Sequence, residues 1–198
     1  MSAPVLTDLA GNGVLTITLN RPEVLNSLDE SLTLGLVDAM HEAKTDSAVR
    51  AVVITGAGRA FCAGADLNAR SWPAVKGVSA GEATAANMER GFNPLVKAVA
   101  QSAKPVVTAI NGIAAGGGVG LALAGDIAIA AESAKFKLVF GPNLGIIPDM
   151  GASWFLPNLV GRARANGLAL LGDNLPASDA KIWGLIWDCV PDENLMAA

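Results

Sequence analysis

Asn111-Gly112-Ile113-Ala114-Ala115-Gly116-Gly117-Gly118-Val119-Gly120-Leu121 sets a glycine cluster between an apolar, strand-like run and an apolar, helix-like run. Glycine in a helix interior costs about 1 kcal/mol relative to alanine, so four glycines within residues 116–120 need a reason beyond helix formation. The reason is exposure of the backbone. A glycine-rich start to a helix leaves unpaired N–H groups at the helix N-terminus, a donor site for an oxyanion or a phosphate. A phosphate fits poorly. No Gly-Lys-Ser/Thr follows, and the acidic residue that a dinucleotide site expects at the end of the next strand is missing.

A second glycine-bearing loop lies upstream, Thr55-Gly56-Ala57-Gly58-Arg59-Ala60-Phe61-Cys62-Ala63-Gly64-Ala65-Asp66-Leu67, directly after the run Ala51-Val52-Val53-Ile54. Two loops, each following a buried strand, can each supply one N–H to the same oxygen. Glycines present only for close helix packing account for one such loop and leave the coordination of two unexplained.

Composition narrows what that oxygen belongs to. The 198 residues are 52% hydrophobic and 16% charged, enough for one substantial core and one domain, 1–198. The net charge of −4 carries no basic stripe, and Lys and Arg are scattered singly, which argues against nucleic acid and anionic membranes and for a small molecule. The apolar stretch 105–131 is interrupted by Asn111, the glycines and Asp126 within the ~20 residues that a membrane span requires. Met1-Ser2-Ala3-Pro4-Val5 has neither a basic n-region nor an apolar h-region, so the expected location is cytoplasmic. Cys62 and Cys189 are far apart and His41 is the only histidine, so no zinc site and no Cys–His nucleophile is expected. His41, beside Glu42 on the polar side of a predicted helix, reads as a solvated surface residue.

Along the chain, strands alternate with helices. Residues 5–9 and 14–19 alternate in strand fashion around Gly11-Asn12-Gly13, a hairpin signal. Ser27-Leu28-Asp29-Glu30 has capping-box form, and Leu32, Leu36, Met40 and Ala43 then recur at helical spacing, which predicts a helix over 29–44. Further strands are expected at 51–55, 106–110, 127–131 and 185–190. Residues 68–81, with Pro73 and no period, read as a mobile loop over a site. Residues 81–101 read as a helix bent or split by Pro94. The glycine-fronted helix covers 116–124, residues 136–149 are irregular, and short helices follow at 153–160, 162–171 and 178–183.

Leu19-Asn20-Arg21-Pro22, the loop 55–67 and the cluster 111–121, in register over almost the whole chain, resemble the crotonase, or enoyl-CoA hydratase/isomerase, superfamily. The resemblance implies an α/β fold, a crotonase-like spiral of ββα units, acting on an acyl-CoA thioester through its enolate. Coenzyme A is then part of the substrate, with no separate cofactor and no metal. In family terms the oxyanion donors fall on the N–H groups of Ala65 and Gly117, with Ala63, Asp66, Leu67 and Gly116 around the thioester and CoA. The chemistry agrees: enolate charge arriving on oxygen needs preorganised donors, each worth ~3–4 kcal/mol in a dry site.

Acid–base residues decide the reaction. Hydratases of the family place one glutamate three residues after the oxyanion glycine and a second some twenty residues further on. Here those positions are Gly120 and Phe140 or Gly141, none of which moves a proton. Asp149, in Gly145-Ile146-Ile147-Pro148-Asp149-Met150-Gly151, resembles instead the catalytic aspartate of the family's isomerases. Ile146, Ile147 and Met150 would desolvate it and raise its pKa. Its other reading is an N-cap for the helix starting near Gly151. Asp66 reads as a loop-bracing carboxylate and Asp126 as structural.

Gly91-Phe92-Asn93-Pro94-Leu95-Val96, Ile147-Pro148-Asp149, Gly161-Arg162-Ala163-Arg164-Ala165 and Trp183-Gly184-Leu185-Ile186-Trp187 are most similar to the subgroup of 1,2-epoxyphenylacetyl-CoA isomerases of aerobic phenylacetate breakdown. That implies ring-epoxide or enoyl-CoA double-bond isomerisation. Asn158 and an extra residue between Phe140 and Gly145 depart from the subgroup's pattern. The alternatives are a hydratase-type lyase and a non-catalytic acyl-CoA-binding member. The resemblance also implies further C-terminal helices that this sequence lacks, and a homotrimer or homohexamer. Leu168, Leu170, Leu171, Trp183 and Trp187 are the apolar surface expected to need such cover.

Overall fold

The computed structural model describes residues 3–68, 72 and 77–198. Residues 69–71 and 73–76 of the loop expected over 68–81 therefore lie outside the described residues. The chain begins with a hairpin, β1 (Val5–Leu9) and β2 (Val14–Leu19), followed by α1 (Glu30–Thr45), β3 (Ala51–Gly56) and β4 (Ala60–Cys62). Next come α2 (Ala80–Asn87), a wide π-type turn at Met88–Phe92, and α3 (Asn93–Ala100). Then follow β5 (Val106–Ile110), β6 (Ile113–Ala115), α4 (Gly117–Leu123), β7 (Ile127–Ala131) and β8 (Lys135–Lys137). A second π-type turn (Phe140–Leu144) leads to α5 (Ala152–Leu171), β9 (Asn174–Pro176), α6 (Ala177–Trp183) and β10 (Asp188–Val190).

The strands form two sheets. The larger has the order β1-β2-β3-β5-β7-β10 and is parallel except for the β1–β2 hairpin. The smaller has the order β4-β6-β8-β9, with β4, β6 and β8 parallel. The pairs β3/β4, β5/β6 and β7/β8 each send one strand to the large sheet and the next to the small one before a helix returns the chain. These are successive ββα turns of one spiral, the α/β architecture that the sequence implies. Because β4, β6 and β8 are adjacent and parallel, the three loops that leave them emerge side by side.

Local chemistry explains most element ends. Leu32, Leu36, Met40 and Ala43 are all buried along α1, which packs on β2 and α3. Asp29 caps α1 by accepting the Leu32 N–H at 2.8 Å, so the cap is Asp29 and not Ser27. The capping box of this chain is at Ser79 and Glu82, where the residues exchange side-chain and backbone bonds ahead of α2. Pro94 lies in the first turn of α3, directly after the wide turn, where its missing N–H interrupts no helical bond. Residues 152–171 form two helical stretches joined at Gly161, whose φ of 76° and ψ of 163° break the helix as expected from the sequence. Only 188–190 of the strand expected over 185–190 pair with β7. Leu168 is buried against expectation, because α5 turns it into the core, while Leu170, Leu171 and Trp187 are exposed. His41 is exposed. No helix among the described residues is long and apolar enough to cross a membrane.

One turn holds the small sheet to the rest. Leu25 and Asn26 both adopt left-handed φ, 56° and 55°, which costs a non-glycine residue energy unless neighbours impose it. Asn26 is fully buried. Its Nδ2 donates to the carbonyls of Ala57 (2.9 Å) and Ala60 (2.8 Å), and its Oδ1 accepts the Arg21 N–H at 2.9 Å. Replacing it with alanine strands the Ala57 carbonyl and the Arg21 amide, and leaves the Ala60 carbonyl only the longer bond from Asn111 Nδ2 at 3.3 Å. Asn26→Ala is expected to lose about 2–4 kcal/mol of stability in chemical denaturation, whereas an isolated surface asparagine would lose almost nothing.

Candidate functional site

Ala65, Gly117 and Asp149 follow β4, β6 and β8 respectively, so the spiral alone brings the three expected residues to one end of the small sheet. The first two loops touch through their main chains. A Cβ placed on Gly64 would lie 2.9 Å from the Gly117 amide nitrogen, and one on Gly118 would lie 2.1 Å from the Cys62 carbonyl oxygen. No side chain fits either gap. This close approach is what the glycines provide.

Both candidate donors are turned away from ordinary pairing. Ala65 forms an isolated parallel bridge with Leu28. In that bridge the Leu28 N–H donates to the Gly64 carbonyl (2.8 Å) and the Asp66 N–H donates to the Leu28 carbonyl (3.0 Å). The amide of the bridged residue itself therefore faces away from Leu28. Gly117 is the first residue of α4, where helical geometry gives an N–H no partner in the preceding turn. Gly116, with φ of 52°, donates its own N–H to the Lys137 carbonyl at 2.9 Å and so is occupied in joining β6 to β8. The Ala63 N–H is likewise occupied, donating to the Leu25 carbonyl at 3.0 Å.

Asp149 closes the site from the third loop. Its Oδ1 would stand 3.5 Å from a Cβ on Gly117, and is buried with no hydrogen-bond partner among the described residues. Desolvation pushes the carboxyl up from 3.8 to about 6, against the smaller lowering effect of its own backbone N–H. The N-cap reading is overturned. Gly151 occupies the cap position of α5, no side chain caps that helix, and Asp149 contributes only its carbonyl, which accepts the Ala152 N–H. Met150 is buried with φ of 51°, a costly conformation for a side-chain-bearing residue, and this twist directs Asp149 toward Gly117 rather than along α5. Met150 also fills the space beside Gly120, where a Cβ would meet the Met150 carbonyl oxygen at 2.3 Å. The position of the first hydratase acid cannot hold a glutamate without rebuilding that turn.

The remaining expected residues divide. Asp66 braces its loop, accepting from Arg21 Nη1 (3.1 Å) and Nη2 (3.2 Å), and Leu67 is exposed. Asp126 is structural, accepting the Val106 N–H at 2.8 Å. Cys62 is buried, which pushes its thiol up to about 12 and removes it as a nucleophile. Among the described residues no cluster of His, Cys, Asp or Glu could hold a metal. Sequence reasoning missed Asn111, which ends β5. Its Nδ2 donates to the Gly58 carbonyl (2.9 Å) and its Oδ1 accepts the Gly56 N–H (3.1 Å), tying the two glycine loops together. A lone asparagine closing an apolar strand was the available signal.

Comparison with known proteins gives a consistent family. The model of the enoyl-CoA hydratase/isomerase family matches residues 10–198. The chain is 50% identical over 183 residues to the 1,2-epoxyphenylacetyl-CoA isomerase of Escherichia coli, covering 92% of this chain and 68% of that protein. It is 43% identical over 180 residues to a probable enoyl-CoA hydratase of Rhodobacter capsulatus, covering 91% and 66%. The solved enoyl-CoA hydratase from Bacillus anthracis superposes with a TM-score of 0.88 at 38% identity, covering 98% of this chain and 72% of that one. The chain spans about two thirds of the length of the curated relatives it matches.

A buried carboxylate with one unpartnered oxygen is costly, and the sign of the cost follows from its pKa. The folded protein binds the Asp149 proton more tightly than the unfolded chain does, so stability falls as pH rises from 3.8 through about 6 and then levels off. Asp149→Asn removes that dependence. The variant is expected to gain about 1–3 kcal/mol over the parent at pH 7.5, with the gain shrinking toward zero near pH 4. Denaturant melts of both proteins across this range test it, and a gain that does not change with pH would contradict burial as the cause.

Proposed function

The chain belongs to the enoyl-CoA hydratase/isomerase family, and we propose that it is an acyl-CoA isomerase working through a thioester enolate. The observation that carries this reading is the unpartnered Asp149 Oδ1 beside the first residue of α4. In the proposed reaction the thioester carbonyl oxygen accepts the N–H groups of Ala65 and Gly117. Asp149 takes a proton from the acyl chain. The C–H electron pair becomes a carbon–carbon π bond, and the carbonyl π pair moves onto the oxygen held by the two amides. Asp149 then returns the proton to another carbon of the conjugated system and the carbonyl re-forms. Nothing is added and nothing leaves.

The absence of an acid at 120, 140 and 141 and the filling of the Gly120 space by Met150 speak against addition of water, which needs a base for the water and an acid for carbon. The likeness to an isomerase of an epoxidised aromatic acyl-CoA supports an aromatic ring epoxide, or an enoyl chain, as the acyl group. Assembly as a homotrimer or homohexamer belongs to the same proposal and is supported by the exposed Leu170, Leu171 and Trp187.

The test is a screen of CoA thioesters for conversion without change of mass, followed by Asp149→Asn on a substrate that is converted. Asparagine keeps the shape and loses the base, so binding is expected to survive while kcat falls roughly 10²–10⁴-fold. The parent's kcat/KM should rise with pH through about 6, where Asp149 ionises, and that limb should vanish in the variant. Undiminished turnover in Asp149→Asn would return the proton transfer to another residue.

A further inference from the structure

Ala65 lends only its backbone N–H to the proposed site, so something else must fix where that N–H points. On its N-terminal side the main chain is held by the Leu25 carbonyl on Ala63 and by Leu28 on Gly64. On its C-terminal side the first anchor after the main-chain bond from Asp66 to Leu28 is the Asp66 carboxylate, which accepts from the Arg21 guanidinium through Oδ2 and from the Asn68 N–H through Oδ1.

Arg21 does more than pair with one acid. Its Nη1 donates to the Ser27 carbonyl at 2.6 Å and to Asp66 Oδ2 at 3.1 Å. Its Nη2 reaches the same Asp66 oxygen at 3.2 Å and lies 3.3 Å from Asp29 Oδ2. Asp29 is itself the cap of α1, and the Arg21 N–H holds Asn26, the buried residue that anchors Ala57 and Ala60. One guanidinium thus ties the start of α1, the 25–28 turn and the residue following Ala65 into a single bracket. The three side chains are 19%, 18% and 14% exposed, so water screens these bonds far less than at an open surface. Arg21 stands between two partly buried carboxylates, Asp29 and Asp66, and its removal takes a shared positive charge and its hydrogen bonds away from the residue that follows Ala65.

We infer that Arg21 is a positioning residue of the oxyanion hole: through Asp66 it sets the direction of the Ala65 N–H. The inference rests on the function proposed above. Lysine would keep the charge but lose the planar fork that spans Ser27, Asp29 and Asp66 at once, so the exchange is not conservative here.

The experiment separates this inference from that function. Butanoyl-CoA carrying a ¹³C label at the carbonyl is bound to the parent protein, Arg21→Lys and Asp66→Asn, and the carbonyl stretch is read by difference infrared spectroscopy. Circular dichroism confirms that each variant is folded. The parent is expected to lower the stretch, because two donors polarise the carbonyl. Both variants are expected to bind butanoyl-CoA with a Kd within about threefold of the parent, to return the band toward its free-solution position, and to lose roughly 10–100-fold in kcat on a thioester that the parent isomerises, the scale of a small misplacement of a catalytic group. The Arg21→Lys/Asp66→Asn double variant should be no worse than the poorer single one, since both break the same link. Folded variants that keep the parent's carbonyl shift and kcat would overturn the inference and leave the oxyanion hole standing. A parent that leaves the carbonyl stretch unchanged would overturn the hole, and this inference with it.

Discussion

Two stretches of bare main chain lie closer together here than side chains allow, and the rest of the site is arranged around that contact. The 62–65 and 115–118 segments leave adjacent parallel strands, and a Cβ on Gly118 would fall 2.1 Å from the Cys62 carbonyl oxygen. Glycine in α4 weakens the helix, by about 1 kcal/mol at an interior position. The loss is offset by packing: every residue of α4 is buried. The helix is stable because of where it sits and not because of its own propensity. In the proposed reaction the same contact preorganises the two main-chain donors, since backbone amides held in a packed core need no reorganisation when charge arrives.

The third loop shows the opposite balance between stability and use. Met150 in a left-handed conformation and Asp149 with a buried, unpaired oxygen are both unfavourable for folding, and they are consecutive. Strain and desolvation placed together at one end of a sheet are what the proposed proton transfer at Asp149 would require. The same desolvation that destabilises the carboxylate raises it to about 6, close to where a proton can be both taken and returned near neutral pH. Met150 has a second effect, because by packing on Gly117 and Gly120 it fills the space in which a hydratase acid would stand.

Much of the large sheet was legible in the sequence. Strands β1, β2, β5 and β7 are apolar or alternating runs of five or six residues, long enough for periodicity to show, and their observed limits match those expected. The small sheet was not legible. Its strands are three residues each, and β4 and β6 lie inside the glycine-bearing segments that read as loops and turns. The glycine clusters after buried strands nevertheless pointed to the two loops, and the family resemblance then placed the candidate donors on Ala65 and Gly117. Asp149 carried two readings, and the turn at Met150 and Gly151, a feature that no side-chain pattern encodes, removes the cap reading. Arg21 and Asn26 were quoted only as parts of short motifs, since their roles depend on contacts with residues 57–66 that become neighbours through the fold.

In the proposed reaction Ala65 and Gly117 offer their N–H groups to one oxygen, with Asp149 across the reacting carbons from it. A crystal structure of the protein with a saturated acyl-CoA bound tests this most directly. The thioester oxygen is expected at about 3 Å from both amide nitrogens, and the carbon next to the carbonyl, or the one two bonds further on, within reach of an Asp149 carboxylate oxygen. A thioester oxygen bonded to any other pair of donors, or an acyl chain running away from Asp149, would contradict it.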